Sequence, residues 1–327
     1  MATSVKIWKH RSSFMKSRRL ESSILLKTTF PGHHPTWGLI GSVAKRTYLD
    51  ENLMDTLIIH TGGIGDFILT CPAVQELTRE SSITLAGYVD RLSLAVAGGL
   101  ARNAVSLDSI DFHSLFAEPS EKLVAFLAPF DRIIVWMRDD DQTIEDTLAE
   151  ITSASVLVFP GLPPSNWSRH ASKYYQQCLG LGELSAFRLA SPIEPVVHDV
   201  IIHPGSGSRD KNWPLEQYEE LADTLEKDGR RVTWCLGPAE EEKGATILPG
   251  ETLRCETLVE LIRHLAGASQ YLGNDSGVTH LAAALGVRTV AVFGVTDPGV
   301  WAPHGDHVSV AGGSSWPEIV DVLERLR

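Results

Sequence analysis

The sequence has only four cysteines in 327 residues, Cys71, Cys178, Cys235 and Cys255, and no two of them form a CxxC pair. Thiols scattered in this way outline neither a disulfide framework nor a zinc knuckle, and they fit a reducing compartment. No apolar run approaches the roughly 18–20 residues of a membrane span. No secretory apolar core with a small-residue cleavage site follows the N-terminus. An excess of positive charge is also lacking, since the formal net charge is −12. Residues 1–53 carry nine Lys/Arg against Glu21, Asp50 and Glu51, a balance of +6, which leaves −18 on residues 54–327. A body that acidic is not built to hold nucleic acid. The remaining class is a soluble globular protein, at 43% hydrophobic and 21% charged residues, long enough for two domains with their own cores.

Residues 1–53 are rich in Ser, Lys and Arg, poor in acids and without sustained hydrophobic period. That composition is shared by transit peptides and by poorly ordered basic leaders, and the leader reading is preferred. Met54 stands directly before the first convincing strand, Thr56–His60. From there, short apolar runs alternate with helical patterns. The next strands are expected at Ile83–Val89, Arg132–Met137 and Ser155–Phe159, and a helix near Ser172–Leu179. In the first helix Pro72 either opens or kinks the element. After a stretch with prolines clustered at both ends, residues 160–198, the pattern restarts at Val200–His203. It continues with a helix over Leu215–Lys227 and a strand over Arg231–Leu236. The two halves begin alike, each with a buried strand ending in His60 or His203 and followed by a Gly-rich turn. Alternation of this kind predicts an α/β protein with two facing Rossmann-like domains and parallel sheets.

Tyr271–Asp306 is the most organised stretch. Gly273-Asn274-Asp275-Ser276-Gly277 reads as a strand end and turn, with Asp275 or Ser276 as N-cap of a short helix that stops at Gly286. Ser276 and His280 fall on one face of it and Val278, Leu281 and Leu285 on the other, so a hydroxyl and an imidazole are expected on the open side. The helix N-terminus is a seat for phosphate. A second loop, Gly205–Pro214, brings the hydroxyls of Ser206 and Ser208 and the cations Arg209 and Lys211 ahead of a helix, which suits a diphosphate with Lys211 as the mobile charge. A third group, Glu240, Glu241 and Glu242, follows a strand end, where a carboxylate can grip ribose hydroxyls or merely favour a helix start. The first loop, Gly62-Gly63-Ile64-Gly65-Asp66, lets the backbone approach an anion or ligand closely at Gly63 and Gly65. Asp66 reads either as a helix cap or as an acid-base group.

These three ordered segments, Leu57–Leu77, Val200–Pro214 and Tyr271–Gly305, resemble glycosyltransferase family 9, the heptosyltransferases of lipopolysaccharide. The resemblance implies the GT-B architecture, with residues 54–190 as the N-terminal acceptor domain and 199–327 as the C-terminal nucleotide-sugar donor domain. It also implies inverting sugar transfer without a metal or cofactor. In that scheme Asp66 is the general base, with Gly63 and Gly65 in the same acceptor-side loop, Lys211 holds the leaving diphosphate, and Glu241 contacts the ribose. Asp275, Ser276, Gly277 and His280 form the donor turn, beside Ser206 and Ser208. The donor is then ADP-heptose or another nucleotide-sugar, and the acceptor a glycan or glycolipid. The location is cytoplasmic, with peripheral contact at the inner membrane left open. Asp275 is expected to address sugar hydroxyls, because a carboxylate next to phosphate is repelled. No dense basic cluster stands in the first half to receive a phosphorylated acceptor. Two other readings compete. One is a nucleotide-sugar-binding protein without turnover, for which Asp66 has no purpose. The other is a Rossmann oxidoreductase using Asp90 on a ribose, which the missing third glycine at Ile68 disfavours.

Overall fold

A computed structural model describes residues 53–237 and 248–327, so all but the last residue of the expected leader lies outside the described residues. The first half is built on β1 (Met54–His60), β2 (Ser81–Gly87), β3 (Asn103–Ser106), β4 (Arg132–Trp136) and β5 (Ser155–Phe159). They form one parallel sheet in the order β3-β2-β1-β4-β5. Its central strand is apolar at successive positions because both faces are covered, and Leu57, Ile58 and Ile59 are buried. The crossovers are α1 (Ile64–Leu77), α2 (Val89–Ala97), α3 (Glu121–Leu127) and α4 (Thr143–Ile151), and α5 (Ala171–Cys178) follows the sheet. The second strand ends at Gly87 and Val89 already opens α2, two residues before the sequence reading ends the strand. Pro72 lies inside α1 rather than opening it.

The second half holds β6 (His198–His203), β7 (Val232–Leu236), β8 (Glu251–Arg254), β9 (Ala268–Asn274), β10 (Arg288–Phe293) and β11 (Val308–Gly312). This sheet is also parallel, in the order β11-β10-β9-β6-β7-β8. Both sheets reverse direction of growth beside their first strand, between β1 and β4 and between β6 and β9, where α/β folds open a crevice at the strand C-termini. The helices are α6 (Leu215–Lys227), α7 (Leu258–Leu265), α8 (Gly277–Ala284), α9 (Pro298–Trp301) and α10 (Ile319–Leu326). α6 shows why such segments are helical. Tyr218, Leu221, Ala222 and Leu225 recur at helical spacing and are the residues it buries. Gly229 then takes φ of +82°, a left-handed conformation that stops the helix.

The two halves are packed together through α1, which lies against both α5 and α8. Phe67, Ile68 and Val74 of α1 share one apolar cluster with Leu281 and Ala284 of α8. Backbone contacts reinforce the join, with Leu189 donating its N–H to the Ala284 carbonyl at 2.8 Å.

Candidate functional site

The loop after β1 is held rigidly from several sides. Asp66 stands in the first turn of α1, and its Oδ2 accepts the Gly63 N–H at 2.9 Å. The cap reading of this carboxylate is therefore realised, and the same bond fixes where the other oxygen points. Behind it, a Cβ on Gly62 would come within 2.7 Å of His60 Cε1 and 2.9 Å of Asp66 Cβ, so any larger residue there would displace one of these side chains. On the outer side Arg91 donates to the Gly62 carbonyl at 2.8 Å and lies 4.5 Å over the ring of the exposed Tyr88. Burial, followed by the nearby charge of Arg91, pushes the His60 imidazole down to about 4. Burial, with the charge of Asp66 next, raises the Tyr175 hydroxyl. Both rings are neutral supports beneath an ionisable carboxylate.

Of the glycines of this loop, Gly65 faces the other half of the protein, and Gly277 faces it in return. A Cβ on Gly277 would lie 2.9 Å from Ile64 Cβ and 3.0 Å from the Gly65 nitrogen. One on Gly65 would lie 3.1 Å from His280 Cδ2 and 3.4 Å from Gly277 Cα. The sequence reading gave Gly65 to a ligand; the close approach it allows is that of the N-terminal turns of α1 and α8 to each other. Two helix N-termini, each with unpaired N–H groups, thus meet at one place.

On the second half, Lys211 and Asp275 come together across 64 residues of sequence. Lys211 Nζ lies 2.8 Å from Asp275 Oδ2, which also accepts the Thr296 hydroxyl at 2.8 Å. Asp275 is only 7% exposed, whereas the Lys211 side chain retains 35%. Lys211 is thus a tethered cation in place of the free mobile charge expected. Ser206 Oγ lies 2.6 Å from the Ser208 carbonyl and 2.7 Å from Asn212 Oδ1, which folds the loop on itself. Ser208 is exposed and accepts from Lys211 N–H through its carbonyl. Ser276 is the N-cap of α8, its Oγ accepting the Thr279 N–H. The cap falls on Ser276, which resolves the choice between it and Asp275.

His280 differs most from expectation. It is buried at 5% exposure, because α1 of the other half covers the face the helix alone would leave open. Burial lowers its pKa to about 4 against the opposing pull of Asp275. Glu241 lies outside the described residues. Asp90 stands exposed in the first turn of α2.

Sequence reading missed Asn274, whose side chain is completely buried. Its Oδ1 accepts from Trp213 N–H at 2.9 Å and Tyr218 O–H at 2.8 Å, and its Nδ2 donates to the Pro204 carbonyl at 2.7 Å. One amide thereby sets the spacing between the Gly205–Pro214 loop and the turn after β9. The visible signal was an asparagine at the end of an apolar strand, where only a satisfied amide can be buried.

Residues 175–321 match the profile of glycosyltransferase family 9 (heptosyltransferase). Lipopolysaccharide heptosyltransferase 1 of Escherichia coli K12 is 37% identical over 106 residues, 31% of this chain and 33% of that protein. Lipopolysaccharide heptosyltransferase 3 of the same strain is 29% identical over 124 residues, 34% of this chain and 35% of that one. The chain thus aligns with about a third of the length of these curated relatives. Among solved structures, a family 9 glycosyl transferase from Veillonella parvula superposes with TM-score 0.62 at 16% identity, over 79% of this chain and 86% of that one. An E. coli heptosyltransferase solved with ADP gives TM-score 0.61 at 20% identity, over 83% and 98%. The fold is the GT-B arrangement of two facing parallel-sheet halves. No helix among the described residues is long and apolar enough to cross a membrane.

Proposed function

We propose that this chain, whose residues 175–321 carry the family 9 match, is an inverting glycosyltransferase. It moves a sugar, heptose foremost, from a nucleotide-diphosphate donor to a lipopolysaccharide-core or other cell-surface glycan. The observation that carries the reading is the meeting of the α1 and α8 N-termini at Gly65 and Gly277, with Asp66 on one side and the Lys211–Asp275–Thr296 group on the other.

In this mechanism the donor lies along the second half, its diphosphate against the N–H groups of α8 and the ammonium of Lys211. Asp66 takes the proton of the acceptor hydroxyl as that oxygen attacks the anomeric carbon from the face opposite the diphosphate. The bond from carbon to phosphate oxygen breaks, and charge grows on the leaving group. Preorganised N–H dipoles and a nearby cation stabilise that charge without a metal. Lys211 exchanges Asp275 for phosphate on donor binding, which leaves Asp275 free to accept from sugar hydroxyls. Glu241 contacts the ribose. The enzyme acts in the cytoplasm, touching the inner membrane only where its acceptor is lipid-linked.

A thermal-shift panel followed by a transfer assay tests the reading. ADP-heptose and ADP should stabilise the protein, by about 2.7 kcal/mol at a hundred times Kd, and UDP, GDP and NAD should not. Release of ADP with glycosylation of a lipopolysaccharide-core acceptor should follow. Stabilisation by NAD alone would shift the assignment to an oxidoreductase. Binding of ADP-heptose with no transfer to any core acceptor would make the chain a binding protein.

A further inference from the structure

The outer edge of the second sheet carries a group of side chains that sugar transfer does not use. Cys255 follows the edge strand β8, Thr257 caps α7, and Glu260 and His264 stand four apart on one face of that helix. Cys255, Glu260 and His264 each bring one donor atom, and the three atoms all lie within 4.8 Å of one another. Their spacing, Cys-x4-Glu-x3-His, matches no familiar zinc signature and emerges only once β8 and α7 are folded side by side.

Two of the three donors, Glu260 and His264, are held by their neighbours. Glu260 donates its N–H to Thr257 Oγ1 at 3.2 Å, while its Oε2 accepts the Glu256 N–H at 3.0 Å, which sets the carboxylate over the turn. His264 Nδ1 lies 2.9 Å from Nε2 of His198, the first residue of β6. His198 Nδ1 is in turn 3.2 Å from Thr233 Oγ1 on β7. A ligating histidine typically has its second nitrogen fixed by an outer partner in this manner, which orients the ring and its remaining nitrogen. Both histidines are at least half-buried, and the cysteine is partly accessible, so the group has a fixed interior side and an entry from solvent.

We propose that Cys255, Glu260 and His264 form a binding site for one zinc-type divalent cation, with His198 as the outer partner that orients His264. A sulfur, an imidazole nitrogen and a carboxylate oxygen are the donor set of this ion, and three protein ligands leave a fourth position for water. On coordination the thiol releases its proton to solvent and the thiolate binds the metal. The ion would tie the end of edge strand β8 to α7, and through His198 to β6. The site stands apart from the proposed transfer chemistry.

Co2+ titration of the untagged full chain tests this, because a thiolate ligand gives cobalt a charge-transfer absorption in the near ultraviolet. The expected result is saturation at one equivalent, displacement by Zn2+, and no such band in Cys255→Ser, which keeps the other three cysteines. Competition with a chromogenic chelator should show Glu260→Gln binding about tenfold or more weakly. That variant changes an exposed side chain and preserves its capping bond, so its fold is not at risk. Absence of a thiolate band, a band that persists in Cys255→Ser, or unchanged affinity in Glu260→Gln would each overturn the site.

Discussion

Replacing the two members of the Lys211–Asp275 pair one at a time should produce opposite effects on nucleotide binding. The pair is asymmetric: Asp275 is almost fully buried and Lys211 keeps a third of its side chain in water. Lys211→Ala removes a cation from a 2.8 Å contact and leaves a buried carboxylate supported only by the Thr296 hydroxyl. A buried group that loses one partner costs about 1–3 kcal/mol, and more when charged. The free protein should therefore lose about 1–3 kcal/mol of stability. Asp275→Asn leaves an ammonium that can turn into solvent, and an amide oxygen that still accepts from Thr296. Its cost should be closer to that of a surface pair, about 0–1 kcal/mol.

For binding of ADP, Lys211→Ala loses a charge-assisted contact and leaves an unpaired carboxylate near the diphosphate. Affinity should fall by about 1–3 kcal/mol, roughly 5- to 150-fold. Asp275→Asn removes the competitor for Lys211 and the repulsion together, so ADP should bind as well as before or more tightly. The sugar-bearing donor should lose affinity in that variant, because its hydroxyls lose a carboxylate acceptor. Chemical denaturation gives the stabilities and isothermal titration the affinities, and the double variant closes the cycle. Additive stability effects, or ADP affinity that falls equally in both variants, would refute the exchange of Lys211 between carboxylate and phosphate.

Three further outcomes are expected. Asp66→Asn keeps an oxygen for the Gly63 N–H, so melting temperature and ADP affinity should hardly move while transfer falls roughly 10²–10⁴-fold; near-normal transfer by the folded variant would leave Asp66 as a cap alone. Gly277→Ala places a methyl 2.9 Å from Ile64 Cβ and 3.0 Å from the Gly65 backbone nitrogen, and overpacking of this kind should cost about 1–3 kcal/mol in denaturant unfolding, whereas an unchanged midpoint would mean the halves are not closed on each other in solution. His60, His280 and His304 are each pushed from 6.5 down to about 4, chiefly by burial, so the unfolded chain binds more protons between these values; stability should be full above pH 6.5 and fall as pH drops towards 4, by on the order of a few kcal/mol in all, with His304 contributing least because it is only half-buried, and a flat profile over that window would refute the burial.

The sequence made legible what depends on local pattern. Strands with both faces covered, such as Leu57–Ile59 and Val200–Ile202, stand out as apolar runs, and the helix Leu215–Lys227 declares itself by its stripe. The short strands Asn103–Ser106, Glu251–Arg254 and Val308–Gly312 did not, for the physical reason that edge strands are half-exposed and mix polar with apolar side chains. In the site, a cap at Asp275 or Ser276 and the residue types of the loops were readable, and the structure places the cap at Ser276. What escaped were consequences of contact between distant segments. His280 has one open face on an isolated helix and none once α1 is laid on it. The ammonium of Lys211 finds its partner 64 residues away, and that tether to Asp275 exists only after β6 and β9 are paired. The three bonds of Asn274 likewise join segments between 56 and 70 residues away.

The join between the halves includes buried imidazoles as well as apolar packing, and this bears on how the proposed site is kept in register. His170 caps α5, and its Nδ1 accepts the Ser172 N–H at 3.3 Å. The ring proton then resides on Nε2, which donates to the Ala302 carbonyl of the second half at 2.7 Å. The same ring lies against that of His304, with centroids 3.7 Å apart. A charged His170 would present a donor to the Ser172 N–H and a cation to a second imidazole. Burial lowers its pKa accordingly, with the Ala302 bond opposing and the charge of Lys173 assisting. Ala302 directly follows α9, and α9 begins just after Thr296 and Asp297, the first of which hydrogen-bonds Asp275. Through Ala302, His170 therefore holds the loop that supports the Asp275 carboxylate, from an element that belongs to the other half. This strap and the Gly65–Gly277 contact are two fixtures of different chemistry that join the same two halves.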